Sequence, residues 1–135
     1  MEKIIQQIIM YILITLTVGT VAACATAQEE EALINRLTIT PTQARNMMRT
    51  YPDAVILDVR TQDEFDQSHI PGATLLPDYM VSTYANQVLP DFDALILVYC
   101  RSGRRSLNTA KLLVSMGYTN VYDFGGIIDW PYERE

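Results

Sequence analysis

The stretch Cys100-Arg101-Ser102-Gly103-Arg104-Arg105-Ser106 holds the residue types and spacing that could do chemistry. A continuous apolar run, Ala94 to Tyr99, precedes it, and a helical pattern, Leu107 to Met116, follows it. The thiol is therefore expected between the carboxyl end of a buried strand and the N-terminus of a helix. That position favours a thiolate, because the helix dipole and the free N–H groups stabilise negative charge. The same N–H groups make an anion cradle. Three of the eight arginines of the chain fall in this loop. A nucleophilic Cys100 that meets an anionic substrate is the first chemical expectation. Arg101, Arg104 and Arg105 are the candidates for drawing that anion in. Ser102, Gly103 and Ser106 are the candidates for cradling it.

The rest of the chain must position this loop. Its length of 135 residues allows one domain. Thr40-Pro41 with Gln43 is a capping box with proline at the first helical position, and Thr61 with Glu64 is another. The first predicts a helix to about Arg49 with Ala44, Met47 and Met48 facing inward. The second predicts a short helix carrying Phe65. Leu37–Thr40, Ala54–Val59, Thr74–Leu76, Ala94–Tyr99 and Asn120–Phe124 read as strands. Val81–Val88 reads as a further helix, and Gly125-Gly126 as a turn. The strands alternate with helices and are continuously apolar, which predicts an α/β fold with a mostly parallel sheet covered on both faces. Ligands of such sheets sit beyond the carboxyl ends of strands, where Cys100 lies.

The N-terminal segment is different in kind. Ile4 to Ala23 holds no charged residue, and Lys3 is the only cation ahead of it. This pattern fits a secretory signal. It ends in Val21-Ala22-Ala23-Cys24, which resembles the lipobox of bacterial lipoproteins. That resemblance implies lipidation of Cys24 and an exported protein anchored at a membrane, on the periplasmic side or the cell surface. An uncleaved anchor, a signal cleaved near Ala25 or Ala27, and a buried helix are the competing readings. Residues 1–23 are thus expected as signal peptide or anchor, 24–36 as an acidic tether or frayed helix, and 37–135 as the domain.

The net charge of −6 argues against nucleic acid as a partner. The basic loop then suits a small anion rather than a polyanion. There are two cysteines and no C-x-x-C motif. If Cys24 carries lipid, Cys100 has no partner within the chain, which disfavours dithiol redox chemistry. Nothing in the pattern calls for a metal or a cofactor.

Residues 37–135 resemble a single-domain rhodanese of the sulfurtransferase family. The match rests on Asp58-Val59-Arg60, Glu64 and His69-Ile70-Pro71-Gly72-Ala73. It continues with the loop from Cys100 to Ser106, Gly117-Tyr118 with Asn120-Val121, and Gly125-Gly126 with Trp130. The resemblance implies a three-layer α/β domain and sulfur transfer through a Cys100 persulfide. The donor would be a thiosulfate-like anion, and the acceptor a thiol or cyanide. It implies structural support from Asp58, Arg60, Glu64 and His69 rather than a catalytic role for His69. Two other readings stay open. One is a tethered sulfur carrier or binding module without turnover. The other is a cysteine phosphatase or arsenate reductase, whose loop is Cys-x5-Arg; here the sixth residue after Cys100 is Ser106, and Arg105 falls one position short.

Overall fold

The computed structural model describes the backbone of residues 1–135 and the side chains of residues 1–11 and 26–135. Cys24, the expected lipidation site, lies outside the residues whose side chains are described. The chain divides into two compact units, Met1–Asn35 and Arg36–Glu135. The first is formed by helix α1 (Glu2–Leu37). Ile4, Ile5, Ile8, Ile9, Met10 and Tyr11 are exposed along it. Among the described residues no helix is long and apolar enough to cross a membrane. The acidic stretch expected as a tether or frayed helix is continuous helix instead. Its alanines and glutamates are good helix formers, and no glycine or proline interrupts them.

The second unit is built on four parallel strands: β1 (Val55–Asp58), β2 (Thr74–Leu75), β3 (Leu95–Cys100) and β4 (Asn120–Gly126). Their order is β2-β1-β3-β4. Between them run α2 (Pro41–Thr50), α3 (Gln62–Gln67), α4 (Val81–Val88) and α5 (Arg104–Ser115). Short 3₁₀ turns span Asp78–Met80 and Ile127–Asp129.

Strand β3 lies between β1 and β4 and is the most buried. Successive side chains of a strand point to opposite faces of its sheet. Leu97 and Tyr99 join a core cluster with Ala44 of α2, Ile70, Phe124, Ile127 and Trp130. Ile96 and Val98 alternate with them and have no exposure either. Helix α5 packs on β3 and β4, burying Ala110 and Leu113. The continuous apolar run before Cys100 is thus a strand covered on both faces.

Both predicted capping boxes form. Thr40 accepts from Gln43 N at 3.2 Å while Gln43 Oε1 accepts from Thr40 N at 2.8 Å. Thr61 and Glu64 repeat the arrangement at 3.3 and 3.0 Å. Ala44 is buried, and Met47 and Met48 are partly so, as the spacing predicts.

Three boundaries differ from the sequence reading. Leu37–Thr40 shrinks to a single parallel bridge between Thr38 and Asp123, flanked by Ile39 N donating to Asp123 O at 2.9 Å. Helix α5 begins at Arg104 rather than Leu107. Gly103, at φ +99°, turns the chain, and its carbonyl already accepts from Leu107 N at 3.1 Å. Gly125-Gly126 extends β4 instead of turning out of it. The register slips on the way: Val98 faces Asp123, but Cys100 faces Gly126, so β4 carries one extra residue there.

Candidate active site

Cys100 is the last residue of β3, and its side chain is 1% exposed. Only three residues, Arg101 to Gly103, separate it from α5, so the loop is a tight arc around the sulfur. Gly103 N–H donates to Cys100 Sγ at 3.1 Å. Burial pushes the thiol pKa up, but the Ser106 hydroxyl and the N–H groups of Ser106, Gly103 and Ser102 outweigh it, and the pKa falls below its ordinary value. The sequence argument invoked a helix N-terminus, and the structure supplies its physical form as convergent donors.

Ser106 is fully buried. Its hydroxyl also reaches Gly103 O at 3.1 Å and Gly125 O at 3.3 Å. It therefore links the thiol loop to the end of β4. The second link is steric. A Cβ on Gly126 would stand 2.6 Å from Ser102 Cα and closer still to the Arg101 carbonyl oxygen. Only glycine lets β4 lie this close to the loop. Ile128 N, just beyond, donates to the same Arg101 carbonyl at 3.3 Å.

The loop arginines separate into two kinds. Arg101 and Arg104 are exposed. Arg105 is half-buried and forms a bidentate pair with Glu64, at 2.9 and 2.8 Å. Through this contact and the Thr61 cap, Glu64 has its carboxyl held down to about 2. The same carboxylate thus caps α3 and ties it to the start of α5.

Asp58 and Arg60 form a separate, sealed pair. Arg60 Nε lies 3.0 Å from both Asp58 oxygens, and its Nη2 lies 2.7 Å from Oδ2. Its backbone N–H adds a fourth bond at 2.9 Å, and Nη2 also donates to Ser68 O at 2.7 Å. The sequence reading grouped Asp58, Arg60 and Glu64 in one support network. The structure resolves them into two pairs, one at the end of β1 and one between α3 and α5. His69 sits elsewhere: Nδ1 lies 2.9 Å from Phe65 O, Nε2 lies 3.4 Å from Glu135, and its ring stacks on Phe65 at 3.8 Å. Trp130 is buried in the core cluster, with Nε1 donating to Glu133 O at 3.2 Å.

Cys100 thus ends a central strand, with N–H groups of Ser102, Gly103 and Ser106 favouring its thiolate and Gly126 pressed against the loop. Residues 40–131 match the model of the rhodanese-like domain. The chain belongs to the rhodanese-like family. It is 39% identical over 93 residues to thiosulfate sulfurtransferase GlpE of Haemophilus influenzae, covering 68% of this chain and 85% of that protein. It is 36% identical over 73 residues to thiosulfate sulfurtransferase PspE of Escherichia coli, covering 54% and 70%. A solved structure described as a rhodanese with anions from E. coli superposes with a TM-score of 0.57 at 32% identity, covering 61% of this chain and 96% of that one. These relatives support a sulfurtransferase role.

Two site residues escaped the sequence reading. Asp123 of β4 is 4% exposed, and burial pushes its carboxyl pKa up. Its Oδ1 accepts from Gly125 N at 3.1 Å, fixing the backbone that faces the thiol loop. Tyr99, next to Cys100, is the other: its hydroxyl accepts from Ile70 N at 3.1 Å, and burial holds that hydroxyl protonated well beyond its ordinary range. A polar residue inside an otherwise apolar strand was the available signal for both.

Proposed function

We propose that this protein is a thiosulfate-type sulfurtransferase that carries sulfane sulfur on Cys100. The observation that carries the reading is the strand-end Cys100 with the Gly103 N–H donating to its Sγ at 3.1 Å, beside Ser102 and Ser106, whose polar groups also favour the thiolate. They stabilise a thiolate before reaction and a persulfide anion after it. The Cys100 thiolate attacks the outer sulfur of thiosulfate. The S–S bond breaks, and sulfite leaves with its electron pair. Arg101 and Arg104, exposed beside the thiol, attract the sulfonate end of the donor. A thiol or cyanide then takes the outer sulfur and regenerates the thiolate. Arg105 is engaged by Glu64 and serves the loop rather than the donor. This also disfavours the phosphatase reading, which needs a free guanidinium to clamp an oxyanion in bidentate fashion.

Intact mass after thiosulfate exposure tests the proposal. The expected result is a gain of one sulfur atom that vanishes on adding cyanide and is absent in Cys100→Ser. A Cys100→Ser protein that still gains the sulfur overturns the assignment of the nucleophile. Adduct formation without multiple turnovers points to the carrier role instead.

We also propose an exported, lipid-anchored protein with Cys24 as the first residue of its mature chain. Support comes from the uncharged run Ile4–Ala23 and the lipobox-like Val21–Cys24. Mass analysis of the membrane fraction should find an acylated Cys24 terminus, and an intact Met1 terminus there would refute this reading.

A further inference from the structure

A cavity of about 160 Å³ adjoins the thiol loop, lined in part by Arg60, Glu64, Gln67, Arg101, Ile128 and Arg134. Two of its charges are already neutralised: Arg60 by Asp58 and Glu64 by Arg105. Arg101 and Arg134 remain, and they give the cavity a positive excess in a protein whose net charge is −6. Arg134 is aimed by its own Nη2, which donates to Trp130 O at 2.9 Å. Arg101 directly follows the nucleophile, and its carbonyl is held by Ile128 N at 3.3 Å. Ile127 completes an apolar wall with Ile128, which is 55% exposed.

This combination does not suit the sulfur donor alone. A small, doubly charged oxyanion gains nothing from isoleucine, and its sulfonate needs only the loop arginines. A cavity of about 160 Å³ takes a small organic molecule rather than a macromolecule. An apolar wall with guanidinium groups around it fits a short methylene stem that ends in a carboxylate.

We infer that this cavity is the acceptor subsite and selects small thiols that carry a carboxylate, with Arg134 as a specificity residue. The inference rests on the sulfurtransferase reading. In this subsite the carboxylate pairs with Arg134, the stem lies along Ile127 and Ile128, and the thiolate end lies toward Arg101, the residue that follows Cys100. Its sulfur attacks the outer sulfur of the persulfide and forms a new S–S bond. The old S–S bond breaks, and Cys100 leaves as thiolate with that electron pair. The product is the persulfide of the small thiol.

The test uses the full chain and two acceptors of similar size, 3-mercaptopropionate and 2-mercaptoethanol. The readout is the ratio of their kcat/KM values, compared between the native protein and Arg134→Gln. Intrinsic differences in thiol reactivity cancel in that comparison. The ratio should fall about fivefold to tenfold in the variant, the scale of one lost charge-assisted contact. In the native protein it should also fall as salt is raised, because screening weakens the pairing. A ratio unmoved by both the substitution and salt overturns the subsite while leaving the sulfurtransferase reading intact. Failure of thiosulfate to load any sulfur on Cys100 overturns both.

Discussion

On its β4 side, the loop from Cys100 to Ser106 rests on backbone. Gly126 presses against Arg101 and Ser102, and the buried Ser106 hydroxyl reaches the Gly125 carbonyl. On its α3 side, the same loop is tied by a pair of opposite charges, Arg105 and Glu64, each about a quarter exposed. The two attachments obey different physics. The first is short-range contact that tolerates no added atom and ignores salt and pH. The second is electrostatic, partly hydrated and adjustable. The thiol is held in place by the first and merely steadied by the second. A site that must position a sulfur atom depends on the rigid side for geometry.

The comparison can be broken from the rigid side first. Gly126→Ala places a methyl group against the loop backbone, where no flexible side chain can yield. Overpacking of this kind costs about 1–3 kcal/mol of stability. A displacement of reacting groups by about 1 Å costs about a hundredfold in rate. Sulfur transfer should thus fall by about two orders of magnitude while the protein still folds, as read by paired turnover and thermal unfolding measurements. Near-native turnover in this variant would show that β4 does not set the loop geometry.

Ser106→Ala comes next. It removes one donor to the thiolate and leaves the backbone N–H groups in place. A hydrogen bond to a charged group is worth about 1.5–3 kcal/mol. The Cys100 pKa should therefore rise back toward its ordinary value, because one group that favours the thiolate is gone. The pH dependence of alkylation by iodoacetamide measures this directly. An unshifted profile would mean that the backbone donors alone hold the thiolate.

The smallest effect is expected on the electrostatic side. Glu64→Gln should cost about 1 kcal/mol or less at neutral pH, the range for partly exposed pairs. Its signature is in the pH dependence instead. The Glu64 carboxyl is held down to about 2 from an ordinary 4.5. A carboxylate lowered in the folded state adds stability above its unfolded pKa and loses it as pH falls toward the folded one. The native protein should lose this contribution between about pH 4.5 and 2, and Glu64→Gln should flatten that limb. Denaturant titrations at several pH values in this window measure it, and parallel curves would remove the pair from the stability account.

These contrasts also mark what was legible in the sequence. Contacts within three or four residues were readable: both capping boxes, the strand before Cys100, and α4 from Val81 to Val88. The arc around the thiol was readable because its donors all lie within six residues of Cys100. The start of α5 was misplaced because Arg104 and Arg105 look like loop residues, and only the backbone turn at Gly103 begins the helix earlier. The pairing of Arg105 with Glu64 spans 41 residues, and no local pattern encodes it. Three acidic or basic residues of one signature looked like one network, yet Asp58 and Arg60 close on each other within two positions. Asp123 was hidden for a related reason: a lone carboxylate in a strand reads as exposed until its neighbours are known. The long N-terminal helix through the acidic stretch reflects propensity that polar composition masked.

The extra residue in β4, which sets Gly126 rather than Gly125 opposite Cys100, has a practical consequence for redesign. One residue inserted before Arg105 would place this arginine sixth after Cys100, in the Cys-x5-Arg spacing of an oxyanion-binding loop. The wider arc would have nowhere to go, because the neighbouring strand already touches it. Converting this site from sulfur to phosphate chemistry therefore requires two coordinated edits, one in the loop and one in the strand beside it. A single insertion is expected to yield a misfolded or inert protein rather than a new enzyme.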